Sequence, residues 1–366
     1  MKALGMTVIV YGHVTRAVPL TPPIYPKQLG VAFFLFASGF TLARDRRPVV
    51  QAVFKRLFQT WLFAFVLAAA LAAGGIMSGS GLALSNFLPL VGANVLFDNF
   101  PANPTTWYLG TYLHLLLLWA ICLRRIRVRR WMVVAAFALE IPVRALLIAS
   151  AGRFIAYMLL TNWMAVFLFG LAQGAEADEE IPRSSLPYAV GGVAAIVLWG
   201  VATRALPLEL TVPFMTLHGW PPVIGLLAVS AAVSALYLCA TAVAFEATRR
   251  AAAPAAVRFI ARNTPIIFLA HMPLFHALHP LLVSWHVGYV PRVAVELLVN
   301  LAGLGLVSEA IRSLLERSAL YRDLSRGRSL EKLLGLGAGS WLSRNMASPE
   351  PLVPTAVRKT LMRITR

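Results

Sequence analysis

The sequence predicts an all-α fold: a polytopic bundle of about ten membrane-spanning helices with both termini in the cytoplasm. Three observations predict it. The 366-residue chain is 59% hydrophobic and only 13% charged, with a mean hydropathy of +0.73, whereas a soluble protein of this length carries far more charge on its surface. Its apolar residues gather in runs of roughly 17–25, the length that crosses a ~30 Å hydrocarbon slab. Its basic residues, which set a net charge of +18, sit at the ends of those runs, so the charge reads as membrane topology and not as a nucleic-acid footprint.

Taken in order, the runs and their breakers place spans at 3–18, 29–44, 57–77, 106–123, 131–150, 154–174, 187–205, 222–246, 264–285 and 293–313. The first is not expected to be a cleavable leader, because no small-residue cleavage site follows it and Lys2 and His13 lie inside it. Arg44, Arg46, Arg47, Lys55 and Arg56 separate the second and third spans, and Arg124, Arg125, Arg127, Arg129 and Arg130 separate the fourth and fifth. The ninth opens on Asn263-Thr264-Pro265, which predicts an Asn263 cap with proline in the first turn. With the N-terminus inside, the inner loops and their edges hold fifteen Lys and Arg residues, Arg183, Arg249, Arg250, Arg258 and Arg262 completing the set. The outer side holds five: Arg16, Lys27, Arg153, Arg204 and Arg292. That bias is the positive-inside pattern, and the acidic patch Glu176, Asp178, Glu179, Glu180 weighs little against it.

Two regions are not simple spans. Residues 78–105 are apolar, rich in Gly, Pro and Asn, and free of Lys and Arg, which predicts a re-entrant or interfacial cap on the outer side. The transmembrane domain is assigned to 1–320. Residues 321–366 form a basic cytoplasmic tail held against anionic lipid, helical around Leu330–Leu334. Cys122 and Cys239 give neither a metal spacing nor a disulfide framework and read as packing residues.

Chemistry is expected first at His13. Lys2 and His13 are eleven residues apart, three helical turns plus about 20°, so they share a face with His13 roughly 16 Å deeper. An ionisable group at that depth is costly and marks function by default, and imidazole exchanges a proton near neutral pH. In the second span Ser38 and Gly39 permit close helix approach, and Ser38 brings a hydroxyl. The Arg44, Arg46, Arg47, Lys55, Arg56 cluster reads as topology and lipid contact, or as a phosphate clamp, since guanidinium forks onto phosphate oxygens.

These stretches together resemble the membrane-bound acyltransferase-3 family, ten-helix enzymes that O-acetylate extracytoplasmic glycans and related molecules. The family's basic residue, ten intervening residues and histidine correspond to Lys2 and His13. Its Phe-Phe-x-x-Ser-Gly-Phe pattern is matched by Phe34, Ser38, Gly39 and Phe40, and its basic entry into the third helix by Lys55-Arg56-Leu57-Phe58. Trp107-Tyr108-Leu109 is similar to a middle-helix opening, and Phe268, Leu269, His271 and Pro273 match an aromatic-Leu-x-His-x-Pro signature. The likeness runs from residue 1 to about 315. It departs at Leu35, which stands in place of the second Phe, and at Gln59, where the family often has a second arginine.

The resemblance implies a plasma-membrane enzyme, in bacteria the inner membrane, that takes an acyl group from acetyl-CoA entering on the cytoplasmic side. The acceptor is a hydroxyl of a carbohydrate, glycolipid or secreted metabolite. His13 acts as general base, or as a transient acyl carrier. Lys2, Arg44, Arg47, Arg56 and Ser38 are expected around the donor, and Trp107, Tyr108, His271 and Glu296 around the acceptor. No metal is expected, because His271, His276 and His279 do not present a ligand set on one face. Glu140 and Arg144, four apart, are expected to pair. Glu296 and Asn300 share a face and either bind an acceptor or join helices. Trp107, Trp163 and Trp220 read as pocket or interface aromatics, interface belts above all, and His114 has no assigned role. The rival class is a transporter with Lys2, His13, Glu140 and Arg144 as its ion pathway, but the paired repeats and matching broken helices of that class are not visible in the sequence.

Overall fold

A computed structural model describes residues 1–15, 27–77, 84–96, 103–151, 153–176, 189–194, 222–249 and 252–326. All regular structure among them is helical. The principal helices are α1 (Lys2–Thr15), α2 (Lys27–Ala43), α3 (Val49–Met77), α4 (Trp107–Ile121), α5 (Arg130–Ser150), α6 (Arg153–Met158) and α7 (Met164–Glu176). After them come α8 (Pro222–Arg249), α9 (Ala255–Ser284), α10 (Tyr289–Leu315) and the short α11 (Ala319–Arg326). Five of them, α3, α5, α8, α9 and α10, are long and apolar enough to cross a membrane. Helices α2 and α4 are shorter but apolar. The expected seventh span meets the described residues only at a helical stretch over 189–194. Trp220 and the tail beyond Arg326 lie outside them.

The arrangement is inside-out relative to a water-soluble protein. On α3 the residues turned into the bundle are Ala52, Ala64, Ala68 and Ala72, while Trp61, Phe65, Val66 and Leu71 face outward. On α5 the bulky Trp131, Val134, Leu139 and Leu146 are each about two-thirds exposed, yet Glu140 and Arg144 are buried. Burying charge while displaying large hydrocarbon side chains is favourable only where the surrounding medium is itself hydrocarbon.

Helix α2 is the hub. Its residues from Gly30 to Gly39 are all buried, and it packs on α1 along one side and on α7 along the other. The α2–α7 crossing depends on small residues. A Cβ on Gly39 would strike the Phe167 carbonyl, and one on Gly170 or Gly174 would strike the carbonyl of Phe36 or Phe40. Close backbone approach of this kind replaces the hydrophobic drive that is missing between helices in lipid.

Four sequence expectations are corrected. Helix α3 begins at Val49, after Pro48, so Lys55 and Arg56 lie within its first two turns and not in the loop before it. Helix α9 begins at Ala255, after Pro254, so Asn263 does not cap it. Asn263 is fully buried two turns in, and its Nδ2 donates to the Phe259 carbonyl (3.0 Å) and Glu309 Oε1 (2.8 Å). Both errors have one cause: arginine and lysine mark the edge of the hydrocarbon but are good helix formers, so helices continue through them. The expected single span 154–174 is broken into α6, a 3₁₀ turn (Leu160–Trp163) and α7. The broken backbone is satisfied by buried side chains, Thr111 donating to the Met158 carbonyl (2.5 Å), Arg144 to that of Asn162 (3.3 Å) and Trp163 Nε1 to that of Tyr157 (3.0 Å). Such backbone is tolerated at depth because it is enclosed by protein. Finally, Trp107 and Trp163 form no interface belt; both are buried, stack on each other and meet Tyr157 at an angle inside the bundle.

Candidate active site

The site grows from the short turn between α2 and α3. Asp45 is an acid inside a run of arginines, with its side chain only 3% exposed. Its carboxylate accepts a forked pair of bonds from Arg47 Nε (2.8 Å) and Nη2 (2.5 Å) and a third from Arg56 Nη2 (3.0 Å). Burial pushes the Asp45 carboxyl upward, but the Arg47 hydrogen bonds and the charges of Arg47 and Arg56 outweigh it and hold Asp45 below its ordinary value of 3.8. Arg56 also donates to Thr41 Oγ1 (3.0 Å). Arg56 bonds Tyr112 as well, and its Nε is buried and without a partner. The turn is braced from outside by Arg124, which donates to the Arg47 carbonyl (2.6 Å) and lies over Trp119.

Around this cluster lie two hollows with shared lining residues. A basic depression of about 670 Å³ is lined by Lys2, Thr41, Arg44, Asp45, Arg46, Arg47 and Arg56. A second cavity of about 400 Å³ shares Lys2, Arg47 and Arg56 with it and continues to Ser38, Tyr108 and Phe268. The tertiary structure thus brings together Lys2, Arg44, Arg47, Arg56 and Ser38, which the sequence proposed as one group. Ser38 makes side-chain hydrogen bonds with both Tyr108 and Tyr112. The two tyrosines stack at 5.5 Å, and Phe34, Tyr108 and Phe268 close the far wall with ring centres 5.3–6.3 Å apart.

Beyond that wall lie the histidines. His271 is 6.2 Å from Phe268, and its ring centre is 5.2 Å from that of His13. His271 is buried, with Nδ1 against the carbonyls of Ile267 (3.1 Å) and Phe268 (2.9 Å). The helix around it is tuned by proline. Pro273 has no N–H for the Leu269 carbonyl, and Asn103 Nδ2 supplies the missing donor at 2.9 Å. His13 is half-buried, and neither it nor His271 is among the residues lining the 400 Å³ cavity, whereas Phe268 lines it and neighbours His271.

The remaining predicted residues lie elsewhere. Trp107 is packed in the Tyr157–Trp163 cluster behind Tyr108. Glu296 is buried on α10 with its carboxylate 2.7 Å from His279 Nδ1, and Asn300 donates to the Glu296 carbonyl from a π-helical turn (Val299–Gly303). Glu140 accepts from the Ala165 N–H (2.6 Å), and Arg144 bonds to Asn162, Ser230 and Ser234, so this pair joins α5, α7 and α8 away from the cavity. Asp45, Thr41 and Tyr112 were not anticipated as site residues. Tyr112 has a signal in its i+4 spacing from Tyr108, and Asp45 in being the acid among Arg44, Arg46 and Arg47.

No curated protein and no solved structure matches the chain. A family model described as an acyltransferase domain, acyltransferase 3, matches residues 1–308. That match spans every element that builds the cavity, the histidine pair and the Asp45 turn, and the chain belongs to the acyltransferase-3 family.

Proposed function

We propose that this acyltransferase moves an acyl group, in the first instance acetyl, from acyl-CoA to a hydroxyl of a carbohydrate, a glycolipid or a secreted metabolite. In this reading it lies in the bacterial inner membrane as a ten-span bundle with both termini cytoplasmic. The observation that carries it is Arg56, which lines both the basic depression and the deeper cavity and whose Nε donor is buried without a partner. A buried, orphaned guanidinium donor is costly unless an anion arrives to accept from it. Coenzyme A offers phosphates for Lys2, Arg44, Arg47 and Arg56 and a long thin arm for the narrower cavity beyond. The ~16 Å from Lys2 to His13 suits that arm.

In this reading Phe34, Tyr108 and Phe268 part so that the thioester reaches the histidines. His13 takes the proton from the acceptor hydroxyl while the oxygen attacks the thioester carbonyl. The tetrahedral intermediate collapses, the carbon–sulfur bond breaks, and the proton passes from His13 to the departing thiolate. The test uses purified protein in detergent. Coenzyme A at about 100 times its dissociation constant stabilises the folded state by about 2.7 kcal/mol, which is read as a raised melting temperature. His13→Ala retains that shift and loses acyl transfer. A protein indifferent to coenzyme A overturns the donor assignment, and a His13→Ala variant with normal turnover overturns the base.

A further inference from the structure

His271 has two nitrogens in different circumstances. Nδ1 faces two carbonyl oxygens of its own helix, those of Ile267 and Phe268. Carbonyls only accept, so Nδ1 must carry a proton and donate to them. In a neutral imidazole the other nitrogen, Nε2, then holds a lone pair. That Nε2 is buried with no hydrogen-bond partner. Its ring stands 5.2 Å, centre to centre, from the ring of His13, tilted by 55°. The rings are thus near neighbours with no bond yet made to Nε2, and a turn of the half-buried His13 ring about its side-chain torsions is what would bring an N–H onto it.

We infer that His271 is a positioning residue for His13: helix α9 locks it as the Nδ1–H tautomer, and its Nε2 accepts the N–H of His13. This inference rests on the reading of His13 as base and deepens it. With one His13 nitrogen donating to His271, the proton is fixed on that nitrogen and the lone pair on the other, the form a general base requires. When His13 gains the hydroxyl proton, its positive charge is held by the same Nε2. The bond between the rings persists, no atom is gained or lost at His271, and the proton leaves His13 for the thiolate as before. The same logic accounts for the surrounding helix. Ile267 and Phe268 supply their carbonyls to the His271 ring, and Pro273 with Asn103 sets the carbonyl of Leu269 apart from it.

Two substitutions separate this role from mere packing. Asn at 271 offers a donor near Nδ1, for the helix carbonyls, and nothing near Nε2. Gln offers an acceptor near Nε2. A structural role is therefore preserved by His271→Asn, and a positioning role by His271→Gln. Nitrogen-15 spectra of histidine-labelled protein in nanodiscs are expected to show His271 protonated at Nδ1 and bare at Nε2, with His13 signals that move in His271→Asn and stay in His271→Gln. With acetyl-CoA as probe and thiol release as readout, kcat falls about 100-fold in His271→Asn, while the dissociation constant of coenzyme A stays within about twofold. A proton on Nε2 in the native protein, or His13 signals that His271→Asn leaves in place, overturns the inference. Loss of the base reading itself shows separately, as thiol release that survives His13→Ala, and leaves the nitrogen-15 result standing on its own.

Discussion

Replacing Arg56 with glutamine isolates the contact on which donor binding depends. Glutamine keeps a polar group near Thr41 but removes the charge and the fork. In the native protein Arg56 is only 15% exposed, holds Asp45 at 3.0 Å, lines both hollows and has a buried Nε without a partner. A hydrogen bond to a charged group contributes about 1.5–3 kcal/mol when protected from water. At 1.4 kcal/mol per decade this predicts coenzyme A binding roughly 10- to 150-fold weaker, as measured by isothermal titration in detergent. The fold is expected to survive, because Asp45 keeps the two-pronged bond from Arg47 at 2.8 and 2.5 Å, and the unliganded melting temperature moves little. An Arg56→Gln protein that melts normally and binds coenzyme A within twofold of the native protein would refute the reasoning, since the orphaned donor would then have no ligand to serve.

Other consequences follow from the packing and the charges. Gly170→Leu drives a side chain into the Phe36 carbonyl and is expected to cost upward of about 1–3 kcal/mol, whereas Gly74→Leu, which meets nothing within 4 Å, changes the melting temperature little. Arg144→Leu strands the buried Glu140 and is expected to destabilise by about 3–5 kcal/mol, with a Glu140→Leu/Arg144→Leu double variant recovering most of it in the same melting assay. Asp45 is held below its ordinary 3.8, so its bonds to Arg47 and Arg56 stabilise the protein at pH above that value and are lost as pH falls through the lowered one. Native and Asp45→Asn proteins should therefore differ in melting temperature at pH 6 and converge at the acid end of the range. Asn103→Ala leaves the Leu269 carbonyl without a donor, at about 1–3 kcal/mol, which faster hydrogen exchange around residues 269–273 would report.

Much of this protein is legible in one dimension. Hydropathy and the placement of Arg and Lys suffice for helices in an apolar medium, because the bilayer imposes one length scale and one polarity on every segment. The grouping of Lys2, Arg44, Arg47 and Arg56 was readable for a related reason: all lie at helix ends on the basic side of the bundle, so sequence order already brings them to one level. What the tertiary structure alone decided concerns neighbours from distant helices. Asn103 as the donor Pro273 removes, the break between α6 and α7, and the meeting of His13 with His271 each depend on a partner many residues away. Periodicity tells which way a residue faces along its own helix, but hydrogen-bond partnership depends on which helix is opposite and how closely it approaches. In this protein that approach is set by glycine contacts such as Gly39 against Phe167 and Gly170 against Phe36, which no single segment encodes by itself.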